Sequence, residues 1–419
     1  MKILLIMRTT YAWHAVHIDT LLGMGLELHL ATRAPGAAVD GRFASVVDMP
    51  ADEPPGETAS RLAGHARRIG AELALTFYET DIVIASRVNE LLGRPWARPE
   101  ADEISRDKVR QRQLCAKHGL PIPRSQSVRS VAEGIEVGEQ AGFPVIVKPS
   151  RLAASMGVTL AHDRASLSRG LETIEALRNR WQGSFYSGDE TSLALIEEYL
   201  PGREVTVDGV VIAGRFHPAG VINKMAMHGP YFEEDYYTLP YRYPEEEGEI
   251  FGIVQGIVDA IGTHHALFNT ELRQDAQGRF RIIEFTTRMS GGQNYLNLRM
   301  AHGIDVVRLY AKALAGPEAD VVAGEVPRLP GRLATCIKFA YRGGIVLRNT
   351  PGDAFASPHF RSYLPVARPG DRLRRPPHGW YEIAGSLSVA GPYHGPESIN
   401  AIERIATDLD RRLEILTVE

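Results

Sequence analysis

Short apolar runs separated by amphipathic stretches dominate the first hundred residues of the chain. Lys2 to Met7 and Leu73 to Phe77 are the clearest runs, and each has the length of a buried parallel strand. Residues 56–70 carry a helical pattern between them, and Ile82 to Ile84 is a further short apolar piece. Strands that alternate with helices predict a parallel α/β layer.

A predicted β-hairpin further along carries the most informative acidic residues. Thr270 to Arg273 and Gly278 to Thr286 are its strands, with Asp275 in the turn. Because side chains alternate along a strand, Glu271 and Glu284 can point into one pocket. Two adjacent carboxylates repel unless a cation lies between them, and Mg²⁺ held by carboxylates and substrate phosphates is the expected occupant. The alternative is an ordinary hairpin with two solvated glutamates.

Groups suited to binding a substrate lie near this hairpin and near the predicted strand ends. Arg288 presents a planar fork that fits carboxylate or phosphate, and Gly291 and Gly292 let the backbone approach a ligand closely. Glu79 follows a predicted strand, at the edge where α/β sheets bind ligands. The alternative for Glu79 is a partly exposed surface residue.

Two lysines occupy positions that indicate phosphate binding. Lys108 lies in the first turn of a helix predicted from Asp107 to His118, where the helix dipole disfavours a cation. Lys148 ends the apolar strand Phe143 to Pro149, and small residues with Gly157 follow in a loop whose N–H groups could cover phosphates. The alternatives are a surface lysine and a lysine that extends from an edge strand to water.

Two further segments are rich in charged side chains. Glu197, Glu198 and Glu204 flank the turn of a predicted hairpin, which can offer backbone groups to a purine and a carboxylate to ribose; solvated charges on an edge hairpin are the alternative. Residues 221–240 are predicted to be a long polar-aromatic loop between strand-like flanks, of the kind that shapes a side-chain pocket. Its polar and aromatic residues are Lys224, His228, Tyr231, Phe232, Glu233, Glu234 and Asp235.

The remaining pattern predicts one helix from Asn297 to Leu314 and a linker at residues 317–330. Residues 348–380 are expected to be mainly loop, and residues 396–414 a terminal helix.

Composition narrows the classes of protein. With 419 residues the chain is too long for one core, and its 44% hydrophobic and 23% charged residues are ordinary for a globular protein. A net charge of −4 gives no basic excess for nucleic acid or a membrane surface. Cys115 and Cys336 are too few and too far apart for a disulfide framework. A cytoplasmic enzyme is the expectation.

The order of these motifs resembles the ATP-grasp superfamily of carboxylate–amine ligases, and within it the L-amino acid ligases that make dipeptides. The resemblance covers residues 1–315 well and the rest of the chain weakly. It implies an α/β (α+β) fold with an N-terminal domain at 1–104, an ATP-grasp domain at 105–316 with a lid at about 124–196, and a C-terminal lobe at 317–419.

The resemblance also implies roles for individual residues. ATP and Mg²⁺, or Mn²⁺ in its place, would be bound, and homodimers are common in that family. Arg288 and Lys148 would be catalytic, and Glu79, Lys224, His228, Glu233, Arg288, Gly291 and Gly292 would contact the acid and amine. The nucleotide would be bound by Lys108, Lys148, Ser150, Ser155, Met156, Gly157, Glu197, Glu198, Tyr199, Leu200 and Glu204, and the metal by Glu271, Glu284 and Thr286.

Two positions depart from the family pattern. Thr286 stands where the family usually has asparagine, and Asn269 where the amino acid ligases tend to have histidine. Threonine offers one short oxygen in place of an amide carbonyl, and a water can fill that place because Mg²⁺ readily keeps waters.

These observations are compatible with three functions. The first is ATP-dependent ligation of an amino acid or analogue to an amine through an acyl phosphate. The second keeps the fold and uses another carboxylate or bicarbonate. The third is a nucleotide-binding protein without catalysis, which is considered because Thr286 departs from the family pattern.

Overall fold

A computed structural model describes residues 1–8, 12–33, 41–50, 53–183, 185–186, 191–226, 230–316 and 333–419. Within these ranges no helix is both long enough and apolar enough to cross a bilayer.

The N-terminal layer is a four-stranded parallel sheet with the order β3-β2-β1-β4. Its residues Ile3 to Ile6 are completely buried, as expected for a strand covered on both faces. The strands are β1 (Lys2–Ile6), β2 (Glu27–Thr32), β3 (Ser45–Asp48) and β4 (Leu73–Leu75), and the helices are α1 (Ala15–Gly23), α2 (Pro55–Ile69), α3 (Ile82–Leu91) and α4 (Pro99–Ser105).

A second four-stranded sheet, the lid sheet, lies on one side of the cavity described below. It is antiparallel with the order β5-β8-β6-β7, and two helices pack on it. Helix α5 (Lys108–Lys117) leads into it and is capped by the side chain of Asp107, which accepts from the backbone of Val109 and Arg110. The lid elements are β5 (Ser125–Val128), α6 (Val131–Ala141), β6 (Val145–Pro149), β7 (Thr159–Ala161), α7 (Arg164–Arg180) and β8 (Ala194–Glu198).

The centre of the molecule is an eight-stranded antiparallel sheet with the order β13-β12-β9-β10-β11-β14-β18-β16. It runs across the predicted boundary at residue 317, because strands from both sides of that boundary hydrogen-bond within it. Its strands are β9 (Glu204–Ile212), β10 (Arg215–Ala226), β11 (Glu234–Leu239), β12 (Ala266–Gln274), β13 (Phe280–Thr286), β14 (Leu333–Ala340), β16 (Phe360–Pro365) and β18 (Gly385–Pro392).

Four helices and a three-stranded sheet complete the described chain. One apolar cluster joins the N-terminal sheet to the central sheet through α9 and α10, which brings the end of β4 close to the end of β13. These elements are α8 (Glu247–Ile261), α9 (Asn294–His302), α10 (Val306–Leu314), β15 (Gly344–Thr350), β17 (Arg372–Leu373), α11 (Glu397–Arg411) and β19 (Glu414–Val418).

The α/β class and the succession of most elements are confirmed, but some local predictions are wrong. Ile82 to Ile84 begins helix α3, because its apolar residues continue into a buried helical face with Val88. Residues 221–226 and 234–239 are strand, because β10 extends to Ala226 and β11 covers Glu234–Leu239. Their polar side chains are accommodated inside the central sheet by ion pairs.

Other errors concern where helices end. The helix predicted from Asn297 to Leu314 is broken at Gly303, which has φ of 70°, and Asp305 caps the next helix. Residues 348–380 contain β16 and β17, and the terminal helix stops at Arg411 before a final strand.

Candidate active site

A cavity lies between the lid sheet and the hairpin of β12 and β13. Most residues predicted to bind nucleotide or metal line this one cavity. Those residues are Lys108, Lys148, Ser155, Met156, Glu197, Glu198, Tyr199, Leu200, Glu204, Glu271 and Glu284.

The acidic pair of the hairpin lies at the floor of this cavity. Glu271 and Glu284 are direct cross-strand partners, as their spacing predicted. The turn is fixed by Asp275, whose Oδ1 accepts the backbone N–H groups of Gln277 and Arg279 at 2.9 and 3.0 Å. Burial, opposed by nearby lysine charge and reinforced by Glu284, raises the pKa of Glu271 to about 7. The pair is therefore a costly arrangement that a cation would relieve.

Each carboxylate of the pair already has a lysine beside it. Lys108 Nζ lies 3.0 Å from Glu284 Oε2 and donates to the carbonyl of Leu152 at 2.7 Å. Lys224 Nζ lies 2.9 Å from Glu271 Oε2 and 2.6 Å from Glu204 Oε1. The lysines keep the cavity floor close to neutral in charge, so phosphate and a cation can enter together.

Lys224 does not lie in a loop as predicted. Its side chain is only 4% exposed and points from β10 into the acidic group formed by Glu204, Glu234 and Glu271. Burial lowers the pKa of Lys224, but these carboxylates outweigh it and hold that pKa well above its ordinary value. Lys224 is therefore a fixed positive charge beside the cavity.

A second buried charge group supports Lys148. Lys148 Nζ lies 2.6 Å from Glu197 Oε2, and Arg112 Nε donates to Glu197 Oε1 at 2.7 Å. Both cations also donate to the carbonyl of Ile283, at 3.2 and 2.7 Å. Burial and the charge of Arg112 lower the pKa of Lys148 to about 8, and Glu197 limits the fall. Glu197 thus anchors the lysine and has no oxygen free for a purine.

The glutamates of the predicted hinge are already bonded within the protein, and Tyr199 and Leu200 line the cavity beside them. Glu198 is engaged by Arg124, whose backbone N–H donates to it at 2.9 Å. The carbonyl of Leu200 accepts from Arg273 Nε at 2.8 Å, and Arg273 also bonds Glu204 Oε2 at 3.0 Å. Gly202 is required in the turn, because a Cβ there would lie 2.7 Å from the carbonyl oxygen of Gln274.

The small-residue loop after β6 covers one side of the cavity. Ala154 and Ser155 adopt left-handed backbone conformations, with φ of 55° and 53°. Ser150 and Gly157 do not line the cavity: the hydroxyl of Ser150 donates to the carbonyl of Ser192 at 3.1 Å, and Gly157 packs against Leu177 of α7. The backbone of the loop, more than those two side-chain positions, is exposed to a ligand.

Arg288 lies just beyond the cavity, at the end of β13. Its Nε donates to Glu79 Oε2 at 2.5 Å, and Thr286 Oγ1 donates to the same oxygen at 3.3 Å. Burial opposes the charge of Arg288, but Glu79 raises the pKa of the guanidinium above its ordinary value. Glu79 therefore orients Arg288 in this structure, and the Thr286 hydroxyl is directed to Glu79 and not to the acidic pair.

The turn after Arg288 is held by a buried carboxylate that the sequence did not reveal. Asp208 on β9 accepts from the backbone N–H of Ser290 at 2.8 Å and also from the Ser290 hydroxyl. Asn269 donates to Asp208 Oδ1 at 3.2 Å. Next in the turn, Gly291 has open space where a Cβ would be, whereas a Cβ on Gly292 would lie 2.7 Å from Phe339.

The predicted substrate residues that the structure describes lie outside the lining of this cavity: Glu79, Lys224, Glu233, Arg288, Gly291 and Gly292. Of these, Glu233 pairs with Arg375 at 3.0 Å. His228 lies outside the described residues. Within the described ranges, no group of three or more His, Cys, Asp or Glu side chains is arranged to hold a metal by itself.

Several residues of the site were missed because their partners are distant in sequence. Arg112, Asp208, Glu234 and Arg273 are each at least partly buried and bonded across elements. Only Glu234 had a signal, as one acidic residue in an unusually polar segment.

Known proteins resemble this chain both in sequence and in fold. Residues 141–296 match the family model of the ATP-grasp domain. The chain superposes on the L-amino acid ligase from Bacillus licheniformis with a TM-score of 0.82 and 20% sequence identity, over 100% of this chain and 99% of that one. Residues 141–296 are therefore similar to an ATP-grasp domain, and the whole chain shares its fold with that ligase. The predicted fold is therefore confirmed.

Curated proteins that are similar to this chain include amino-acid ligases. It is 25% identical over 305 residues to the alanine–anticapsin ligase of Bacillus subtilis (strain 168), covering 68% of this chain and 63% of that protein. It is 30% identical over 209 residues to the D-alanine–D-alanine ligase of Chromohalobacter salexigens, covering 47% of this chain and 60% of that protein. The chain thus spans less than two thirds of the length of these relatives.

Proposed function

We propose that this protein is an ATP-dependent ligase that joins a carboxylate, an amino acid or an analogue, to an amine. One observation carries the proposal: a single cavity brings the lysines of α5 and β6 to the paired carboxylates of β12 and β13, with Arg288 just beyond. The similarity to alanine–anticapsin ligase supports an amino acid as the acid substrate.

The nucleotide is assigned to the cavity by the chemistry of its walls. Lys108, Lys148 and Lys224 are the cations that would bind the phosphates of ATP. The backbone of Tyr199 and Leu200 would meet the adenine, where the cavity wall includes apolar groups. All three lysines now contact carboxylates, so we expect these contacts to rearrange or to be shared when triphosphate enters.

The paired carboxylates fit a divalent cation. Glu271 and Glu284 supply hard oxygen ligands from adjacent strands, and a bound cation would oppose the burial that raises the pKa of Glu271. Mg²⁺ would neutralise phosphate charge when bound there, and Mn²⁺ accepts the same ligand type. Thr286 is assigned no metal contact, because its hydroxyl is directed to Glu79.

The reaction then follows from the groups present. The substrate carboxylate attacks the γ-phosphorus of ATP, which releases ADP and leaves an acyl phosphate. The amine attacks the carbonyl carbon, and phosphate leaves as the amide forms. Positioning and charge neutralisation provide most of the catalysis in phosphoryl transfer. Arg288, oriented by Glu79, is placed to stabilise the oxyanion that develops during the second step.

The test is the release of ADP from ATP with added acids and amines, singly and in pairs. We expect release only when an amino acid and an amine are both present, and a Glu284→Gln protein is expected to lose at least a hundredfold in rate. Arg288→Ala should lose about 10²–10³-fold, the usual loss for one oxyanion donor. Turnover with bicarbonate but with no amino acid, or tight ATP binding without any turnover, would contradict the proposal. A homodimer stays a prediction that the mass of the protein in solution can check.

A further inference from the structure

A segment of the C-terminal lobe, residues 374–382, reaches the edge of the cavity. It contacts residues 231–234, at the start of β11, in two places. Arg375 pairs with Glu233 at 3.0 Å, and the ring of Trp380 packs edge-on against that of Tyr231 with centroids 5.3 Å apart. Phe232 and Glu234, which alternate with Tyr231 and Glu233 along the chain, line the cavity. The segment is therefore attached to the wall of the cavity itself.

Tyr381 is the unusual residue in this segment. Its φ is 56°, in the left-handed region that side chains other than asparagine and glycine rarely adopt. Its backbone N–H donates to Glu233 Oε1 at 3.4 Å, a contact that helps to hold this conformation. Strained backbone of this kind persists where the surroundings impose it, and it is concentrated at functional sites.

The strained backbone directs the Tyr381 ring toward the turn that follows Arg288. The ring packs edge-on against Phe339, with centroids 6.1 Å apart, and Phe339 in turn covers the Cα of Gly292. Tyr381 is also close enough to Arg288 and Glu234 for their charges to influence its pKa. In the part of the chain that the structure describes, nothing hydrogen-bonds its hydroxyl.

We propose that Tyr381 is a substrate-binding residue supplied by the C-terminal lobe, and that its hydroxyl donates a hydrogen bond to a carboxylate oxygen of the acid substrate beside Arg288. The proposal rests on the ligase function proposed above. A neutral donor near a guanidinium matches an anion, and Gly291, three residues after Arg288, has open space where a Cβ would be. Burial raises the pKa of Tyr381, so the phenol keeps its proton at neutral pH.

The test is steady-state kinetics of Tyr381→Phe with the full-length protein, ATP, and an acid and amine pair that the wild type ligates. Phenylalanine keeps the ring against Phe339 and removes only the hydroxyl. A hydrogen bond to a charged group contributes enough that we expect the KM for the acid to rise about 10- to 100-fold. The KM for ATP and the thermal midpoint are expected to stay within a factor of two and within about 2 °C of wild type.

Tyr363→Phe is the matched control. Its hydroxyl donates to Asn349 Oδ1 at 2.6 Å in the same lobe, away from the cavity. We expect it to lose stability without any change in the KM for the acid. Tyr381→Asn, which tolerates the left-handed backbone, is expected to behave like Tyr381→Phe in its KM for the acid.

The other outcomes distinguish failure of the Tyr381 proposal from failure of the ligase function. If the KM of Tyr381→Phe for the acid equals that of the wild type, the proposal is overturned. The ligase function still stands in that case, provided that turnover of the wild type depends on the acid. Equal rises in the KM for ATP and for the acid also overturn it, because they indicate a general disturbance of the cavity wall. Absence of acid-dependent turnover in the wild type rejects the ligase function and the proposal with it.

Discussion

Replacing Glu197 by glutamine is expected to disable the buried charge group behind the cavity. The glutamate lies between two cations, Lys148 at 2.6 Å and Arg112 at 2.7 Å, and its side chain is 4% exposed. Glutamine has almost the same shape but no charge, so both buried cations would share one neutral oxygen. Removing one partner of a buried ion pair typically costs about 3–5 kcal/mol. We expect the free energy of unfolding to fall by about that amount.

The same substitution should weaken nucleotide binding. Burial and Arg112 already lower the pKa of Lys148 to about 8, and Glu197 is what limits the fall. Without that carboxylate the lysine is expected to be largely neutral at pH 7.5. Loss of a charge-assisted contact to phosphate corresponds to a rise of about 10- to 100-fold in the Kd for ADP. Isothermal titration with ADP and Mg²⁺ measures it directly.

The adjacent residue provides the control. Glu198→Gln is the same chemical change one residue later on β8, but its partner Arg124 has a side chain that is 85% exposed. Exposed pairs contribute about 0–1 kcal/mol, so urea unfolding of this variant should be close to wild type. Equal unfolding midpoints for the two variants would refute the reasoning, because they would show that Glu197 and Glu198 contribute alike.

Three further predictions concern the cavity floor and the turn after Arg288. The pKa of Glu271, about 7 against an ordinary 4.5, means that its protonation favours the folded protein below pH 4.5 and that this stability is lost as pH rises through 7. The Kd for Mg²⁺–ADP should accordingly rise as pH falls below 7, and a Glu271→Gln protein should lose this dependence. Asp208→Asn should lower kcat about tenfold or more, because it removes the carboxylate charge and the second oxygen that accepts from the Ser290 hydroxyl, while the Kd for ADP stays unchanged. Gly292→Ala should lower the thermal midpoint measurably, since its φ of 65° and a Cβ 2.7 Å from Phe339 both oppose a side chain; an unchanged midpoint would contradict the packing described.

Local patterns of the sequence predicted the elements that carry the cavity. The turn at Asp275, the cap at Asp107 and the apolar strand before Lys148 are each encoded within a few residues, so their positions could be predicted. The pairing of Glu271 with Glu284 followed from the period of a strand.

Predictions failed where the environment outweighed the local pattern. Residues 221–240 are polar, yet Lys224 is buried there because three glutamates from other strands surround it. Glu197 was predicted to join the adenine hinge by side chain or backbone, and its side chain lies in a buried ion pair with residues 85 and 49 positions away, Arg112 and Lys148. Asp208 and Tyr381 gave no signal at all, since only the folded chain brings them to Arg288. Contacts between distant segments are what local periodicity cannot specify.

The central claim is that the terminal phosphoryl group of ATP is transferred to a substrate carboxylate. It is tested most directly with an amino acid whose carboxylate oxygens are labelled with ¹⁸O, by mass spectrometry of the phosphate released during amide formation. The account predicts that each phosphate carries one ¹⁸O atom, because the acyl phosphate loses the bridging oxygen with the phosphate. Unlabelled phosphate, released at the rate of amide formation, would contradict it.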